Sequence, residues 1–458
     1  MRNKLIKLVF FLFILIISSS CHKNKGGIIL VMGKAGDMRC TDSLLHSGPL
    51  KIAIINPDKP DKPVKILTTD FFSACSPSLA FDGRSMVFAA RRNEQDPWQI
   101  WEMNLRNRKI RKIANSTNNC LFPAYLPGSK IVFSQAIPGD SLKSEFSLFR
   151  CNTDGSSCER ITFNPAAWYA STVLADGRIL AKCAQNYPEK REAELIVLRP
   201  DGTKAELFYE RKGELTGGRA IETPGGKIIF TENTGSDRSQ LTAVSYANPF
   251  NGTTICAKGL EGDFISVNRG SEGKILACYR NSPGETYRLF AIDPEKGTSV
   301  LLQENHDYDM LEAVAIAPQS MPRKLPSEVD SLVKTGLIMC QDMKLPLFDG
   351  QHQPVAQKVE ILGLESSYGK VEPEPDGSFY LKILADKPFR IATLDENGKI
   401  IKMCDWMSLR PNERRGCVGC HEDPVTTPEN RIPAAVRKDA VIIPVVLNKI
   451  EEKTVELE

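Results

Sequence analysis

The chain has 458 residues, with 59 Lys or Arg against 56 Asp or Glu, a formal charge of +3 and 25% charged residues. That length accommodates two or three domains, each with its own core. The nearly balanced charge contains no basic block and no aromatic residues interleaved with Lys or Arg, so the electrostatic footprint of nucleic-acid binding is missing and no nucleic-acid partner is expected.

Residues 1–20 read as a signal segment. A basic start (Arg2, Lys4, Lys7) leads into the apolar run "LVFFLFILII" from Leu8 to Ile17. A run of about ten residues is half of the roughly twenty needed to cross a bilayer. Small residues Ser18 to Ser20 then precede Cys21. The pattern resembles a bacterial lipoprotein signal and implies lipidation of Cys21, a short tether over 21–26, and a membrane-anchored lipoprotein of a Gram-negative envelope, facing the periplasm or the cell surface. Ser18 departs from the leucine usual at that place, and simple export with cleavage elsewhere is the alternative.

Export fits the 13 cysteines, which suit an oxidising compartment. Cys151 and Cys158 bracket "NTDGSS", a hairpin tip that a disulfide could staple. Cys75 and Cys120 lie just before Pro77 and Pro123, and Cys183 and Cys278 fall on later strands. Sequence assigns no pairs, and buried free thiols are the competing reading.

From 27 to 318 the chain repeats a Gly-bearing turn followed by a short alternating strand: "SPSLAFDGRSMVFAARR", "FPAYLPGSKIVFSQA", "STVLADGRILAKCAQ", "IETPGGKIIFTEN" and "ISVNRGSEGKILACYRN". The marker glycines Gly83, Gly128, Gly177, Gly226 and Gly273 stand roughly 45 to 49 residues apart, the spacing of four-stranded propeller blades. With a divergent first unit ("IILVMGK", "KIAIINP", "VKILTT") the count is about six, and the late strand "LEAVAIAP" is expected to return to the first blade and close the ring; a seven-bladed count or an open ring is the alternative. Closure removes exposed strand edges. The units resemble TolB-type propeller repeats. Between them and the closing strand, "ENHDYDM" places His306, Asp307, Tyr308 and Asp309 on a loop that could present a ligand site or only a polar surface.

A Pro-rich linker over 319–335 leads to a β segment, with strands expected at "GLIMC", "KVEILGL", "GSFYLKIL", "FRIATLD" and "KIIKMCDWM" and hairpin turns at "PDG" and "ENG". A small β-sandwich over 336–424 is the simplest reading. The fold class is therefore all-β: a propeller of about six blades, then a sandwich and an attachment loop. The C-terminal extension, 425–458, has no clear period and is expected to wrap over the motif or the sandwich before a charged tail.

At the end of the sandwich stands "RGCVGCHE". Two cysteines spaced by two residues and followed at once by histidine match the vinyl thioether positions and proximal ligand of one covalent haem c, through Cys417, Cys420 and His421. Structural zinc usually takes four protein ligands, of which this run supplies at most three; a disulfide is the remaining alternative. For a second axial ligand His352 and Met343 are the candidates, with Met339, Met403 and Met407 chemically able, and an iron left five-coordinate stands beside them. Arg410, Arg414 and Arg415 could pair with haem propionates, or be solvated loop arginines. Trp406 is expected to fill the sandwich core rather than pack on a macrocycle.

The stretch "EPDGSFYLKILADKPFRIATLDENGKIIKMCDWMSLRPNERRGCVGCHEDP" is similar to the middle domain of the hydrazine synthase alpha subunit family. The ordered DGSF hairpin, ADxPFR strand, Trp-bearing strand and RPNERRGCVGCHE carry the resemblance, which implies a periplasmic multidomain haem protein with an N-terminal propeller. Two departures limit it. Where the family's synthase has a haem-ligating tyrosine four residues after the motif histidine, this chain has Val425, so His421 is expected to act as an ordinary proximal ligand. Only one CxxCH is present, where the synthase has a second haem, so hydrazine synthesis is not expected. The resulting expectation is a monohaem cytochrome lipoprotein transferring electrons to a redox partner protein or sensing redox state, with the propeller as docking platform. The alternatives are a haem enzyme acting on a small nitrogen oxide or peroxide, and a propeller binding protein in which haem is structural.

Overall fold

The computed structural model describes residues 26–36, 48–59, 62–209, 215–235, 238–344, 355–417 and 430–444. The signal segment, Cys21, His352, Cys420, His421 and most of the C-terminal extension lie outside the described residues. Among those described, every regular element is a strand except one 3-10 turn, Ala434–Arg437, and no helix is long and apolar enough to cross a membrane.

The described residues between Ile28 and Ala315 form six four-stranded antiparallel blades, as the spacing of the glycine turns predicts, with the third and fourth joined by one parallel bridge between Phe146 and Ala167. Blade 1 combines Ile28–Lys34, Lys51–Ile55 and Lys65–Ile66 with the late strand Tyr308–Ala315 as its innermost member. Ile28 pairs with Ala315 and Leu30 with Ala313, so "LEAVAIAP" closes the ring as expected. Blades 2 to 6 then run in order as Ser73–Lys112, Cys120–Arg160, Ala166–Tyr209, Leu215–Ile255 and Asp263–Gln303. Their second strands alternate small and large apolar residues ("SMVFAAR", "KIVFSQA", "ILAKCAQ") and are almost wholly buried, because blades pack face to face and cover both sides of each sheet.

Each marker glycine sits in the first hairpin of its blade with positive φ, between +70° and +92°. Three of these turns have a second task. The linker after the propeller passes under blades 2, 3 and 4, so a Cβ added at Gly177 would lie 2.0 Å from the Arg323 carbonyl oxygen, whereas one at Gly226 would meet nothing within 4 Å. Gly226→Ala is thus expected to cost about 1 kcal/mol for the left-handed backbone alone. Gly177→Ala should cost at least about 2 kcal/mol more because the linker must move; equal denaturation midpoints for the two variants would contradict this path for the linker.

The innermost strands carry a recurring bulge, with Ser76, Phe122 and Ala170 at φ near +53°, +52° and +53°. It frees the carbonyls of Pro77 and Pro123, and both accept from one side chain: Arg219 of blade 5 donates to Pro77 (3.2 Å) and Pro123 (2.7 Å) across the ring axis. Burial pulls the Arg219 guanidinium below its ordinary value, while the Glu312 carboxylate of the closing strand opposes that. Glu312 accepts the Ser76 amide at 2.9 Å. These two charged groups tie blades 1, 2, 3 and 5 together around the channel.

After the linker, two four-stranded sheets face each other. One orders Arg414–Cys417, Thr335–Cys340, Phe379–Leu384 and Val441–Ile443; the other orders Ser367–Val371, Lys358–Leu362, Arg390–Leu394 and Ile400–Met403. Their shared core includes Ile338, Val359, Leu381, Phe389 and Ile443. Beyond the strands expected from sequence, the sandwich takes in Ser367–Val371 and two edge strands paired in parallel, one of them from the C-terminal extension. The extension is pinned first by Arg431, which binds Asp376 at 2.6 Å and the Gln341 carbonyl at 2.7 Å.

Candidate functional site

The segment "LRPNERRGC" ahead of the haem-type motif is built into the seam between propeller and sandwich. Glu413 closes a turn on the Arg410 carbonyl and its own carbonyl accepts the Leu337 amide at 2.7 Å, which starts the parallel pairing of Arg414–Cys417 with Thr335–Cys340. Its side chain is fully buried. One carboxylate oxygen accepts the Lys204 amide of blade 4 (2.7 Å) and the Arg415 guanidinium (2.7 and 3.0 Å), and the other accepts the Arg410 amide (2.8 Å).

Arg410 is buried as well. Its guanidinium donates to Asp386 (2.7 Å) and to the Asp201 carbonyl of blade 4 (3.0 Å), lies 3.8 Å from Glu159 of blade 3, and packs 4.9 Å over the Phe163 ring. Asp201 in turn receives the linker through Ser327 (3.1 Å) and the Glu328 amide (2.7 Å). Burial alone would raise the Asp201 carboxyl, but bonds from Thr203, Glu328 and Ser327 outweigh it and hold the group below the usual carboxylate range. Of the three arginines read as propionate partners, Arg410 and Arg415 are therefore committed inside the protein. Only Arg414 is exposed.

A second set of seam contacts corrects the expectation for Trp406. Rather than filling the sandwich core, its indole donates to the Tyr187 carbonyl of blade 4 at 2.8 Å and lies 6.4 Å from the Tyr187 ring. Asp405 beside it takes Arg191 at 2.5 Å, and the Asn164 side chain donates to the Trp406 carbonyl at 3.0 Å. Tyr187 and Arg191 belong to the long second hairpin of blade 4, which reaches over to the sandwich.

Between these two sets of contacts lies a cleft of about 190 Å³, whose lining includes Trp168, Cys183, Arg191, Trp406, Met407 and Arg415. Burial pushes the Cys183 thiol well above its ordinary value, and Glu194 and Asp405 add to that. The described residues contain no group of three His, Cys, Asp or Glu side chains arranged to hold a metal.

Cys417 ends the strand Arg414–Cys417 half-buried, in register with Cys340 and two residues beyond the cleft-lining Arg415. The chain is described again from Asn430, and Arg431 is fixed at Gln341, one residue past Cys340. Cys417 and Arg431 are therefore fixed at the same end of one sheet. Met343 is 1% exposed and packs in the sandwich core. In the propeller loop singled out from sequence, Tyr308 is exposed, but Asp309 is buried and holds the Gly36 and Tyr287 amides at 2.9 and 2.8 Å, a structural task.

Residues 348–422 match the family described as hydrazine synthase alpha subunit middle domain. Hydrazine synthase subunit alpha of Kuenenia stuttgartiensis is 24% identical over 510 aligned positions, covering 82% of this chain and 63% of that protein. This chain thus spans less than two thirds of its relative's length. The solved structure of Kuenenia stuttgartiensis hydrazine synthase superposes with a TM-score of 0.79 at 19% identity, covering 90% of this chain and 71% of that one. TolB from Acinetobacter baumannii matches 62% of this chain and 66% of its own at 13% identity, with a TM-score of 0.47.

Proposed function

This chain is a distant relative of the hydrazine synthase alpha subunit, and from that premise we propose that it is an exported c-type cytochrome carrying a single haem, anchored through Cys21 and serving electron transfer or redox sensing with a partner protein. The observation that supports the reading is the position of Cys417, the first residue of "CVGCH": the strand that ends on it is locked to propeller, linker and sandwich together through Glu413 and Arg410. A haem bound there would supply one-electron chemistry. The residues of this chain would attach it through Cys417 and Cys420, ligate iron through His421, and set its surroundings through Arg415, Trp406 and Met407. Arg414 is the arginine left for a propionate.

The test is the protein made in full length in a host that matures haem c. About one haem per chain should survive acid–organic extraction and give the pyridine spectrum of two thioethers. Cys417→Ala with Cys420→Ala should abolish it; haem that extracts freely from the wild type, or none, would sink the reading.

The cleft beside Cys417 favours one second reading, a haem enzyme for a small molecule such as a nitrogen oxide or peroxide. The same preparation separates them: an unchanged reduced spectrum under CO supports electron transfer, and a CO-shifted band supports an open site.

A further inference from the structure

We propose that Cys151 and Cys158 of blade 3 form a redox-active dithiol, in which exposed Cys158 attacks an external disulfide, Cys151 resolves the mixed disulfide, and the resulting bond stiffens the seam between propeller and sandwich. The hairpin register sets the pair up. Phe149 stands opposite Arg160 and Arg150 opposite Glu159, so the next positions place Cys151 across from Cys158. Cross-strand neighbours of this kind have the Cα separation that a disulfide requires. Both are free thiols, Cys158 exposed and Cys151 only 1% exposed. Attack therefore has one accessible sulfur and one sheltered partner, the arrangement of thiol switches.

The two thiols also divide their proton in the useful direction. The Cys151 thiol lowers the neighbouring Cys158 thiol below its ordinary value, against the effect of burial. The Cys158 sulfur and burial together raise Cys151. Cys158 is thus the better thiolate. It displaces one thiolate from an external disulfide; Cys151 then loses its proton, attacks the Cys158 sulfur and releases the second thiolate. Two electrons and two protons pass from the dithiol to the external disulfide, which leaves as two thiols. The reaction is independent of haem.

Its consequence lies one residue away. Glu159, next to Cys158, binds Arg150 (3.0 Å from Nε) and stands 3.8 Å from Arg410, the arginine that joins blade 4 to the sandwich. Arg160 and Phe163 continue the same connection, Phe163 under the Arg410 guanidinium. Fixing residue 158 to residue 151 fixes the backbone that presents Glu159.

Full-length reduced protein is treated with oxidised glutathione, quenched with iodoacetamide and mapped by peptide mass spectrometry. The expected product is an intramolecular Cys151–Cys158 bond, with Cys75, Cys120 and Cys278 still thiols. Before oxidation Cys158 should alkylate about tenfold faster than those buried cysteines near neutral pH. A stable glutathione adduct on Cys158 with Cys151 unreacted, or no reaction at Cys158, overturns the dithiol. For the link to the seam, tryptic cutting in the 319–335 linker should slow several-fold on oxidation of the wild type and stay constant in Cys158→Ser. Equal rates for oxidised and reduced wild type overturn the link while leaving the dithiol standing.

Discussion

Glu413→Ala is expected to uncouple the propeller from the sandwich and to cost about 3 to 5 kcal/mol, because it removes a fully buried carboxylate that serves both bodies. Without it the Lys204 and Arg410 amides lose their acceptors and the Arg415 guanidinium keeps a buried charge with its carboxylate gone. Both amides come from positions that the surrounding fold holds in place, so neither can turn to water. Glu413→Gln keeps the shape and one acceptor oxygen and should cost roughly half as much. Calorimetry distinguishes a local loss from an uncoupling: the wild type should melt as one unit, and Glu413→Ala should show the sandwich melting ahead of the propeller. A variant within about 0.5 kcal/mol of the wild type, still melting as one unit, would mean that Arg410 and Trp406 hold the seam without it.

That seam was the part least legible in the sequence. The propeller could be read because its demands are local and repeated: a turn needing positive φ recurs at Gly83, Gly128, Gly177, Gly226 and Gly273, and an alternating strand left over at the end has one edge to close. The hairpin glycines Gly377 and Gly398 were readable for the same reason. Arg410 and Glu413, by contrast, look like solvated charges in a loop, since their partners are backbone atoms 209 positions earlier. Trp406 had the composition of a core residue, and its carbonyl partner is 219 positions away. A main-chain acceptor leaves no side-chain pattern to find. Arg219 is a similar case, because the carbonyls it holds are released by bulges on two other blades. The motif "CVGCH" stands out from five residues, with its haem chemistry resting on the proposal above; that the strand leading into it is a structural member of the seam leaves no mark in the sequence.

Lys182 shows the same limit on a strand that alternates correctly. In "ILAKCAQ" a lysine at this place reads as an outward-facing residue, but blade 5 covers that face and leaves Lys182 1% exposed, paired across the sheet with Tyr169 and Leu195. Burial alone brings its ammonium down from 10.5 to about 7. The sign of the consequence follows from proton binding: between pH 7 and 10.5 the unfolded chain holds a proton here that the folded chain has given up, so stability rises with pH through that window. Below pH 7 both states are protonated and the whole penalty, on the order of 5 kcal/mol, is carried by the fold. Lys182→Met keeps the aliphatic stem and removes the charge, at the loss of the interaction that the lysine side chain makes. The variant should therefore be the more stable protein at about pH 6 to 7, by about 2 kcal/mol after that loss. Its advantage should shrink toward zero or reverse as pH approaches about 10. Taking the difference between variant and wild type removes the contributions of the buried thiols, whose raised values lower stability over the same alkaline range. Urea midpoints measured at about pH 6, 8 and 9.5 suffice. A difference that is constant across that range would mean that Lys182 stays charged in the fold, with a partner strong enough to offset its burial.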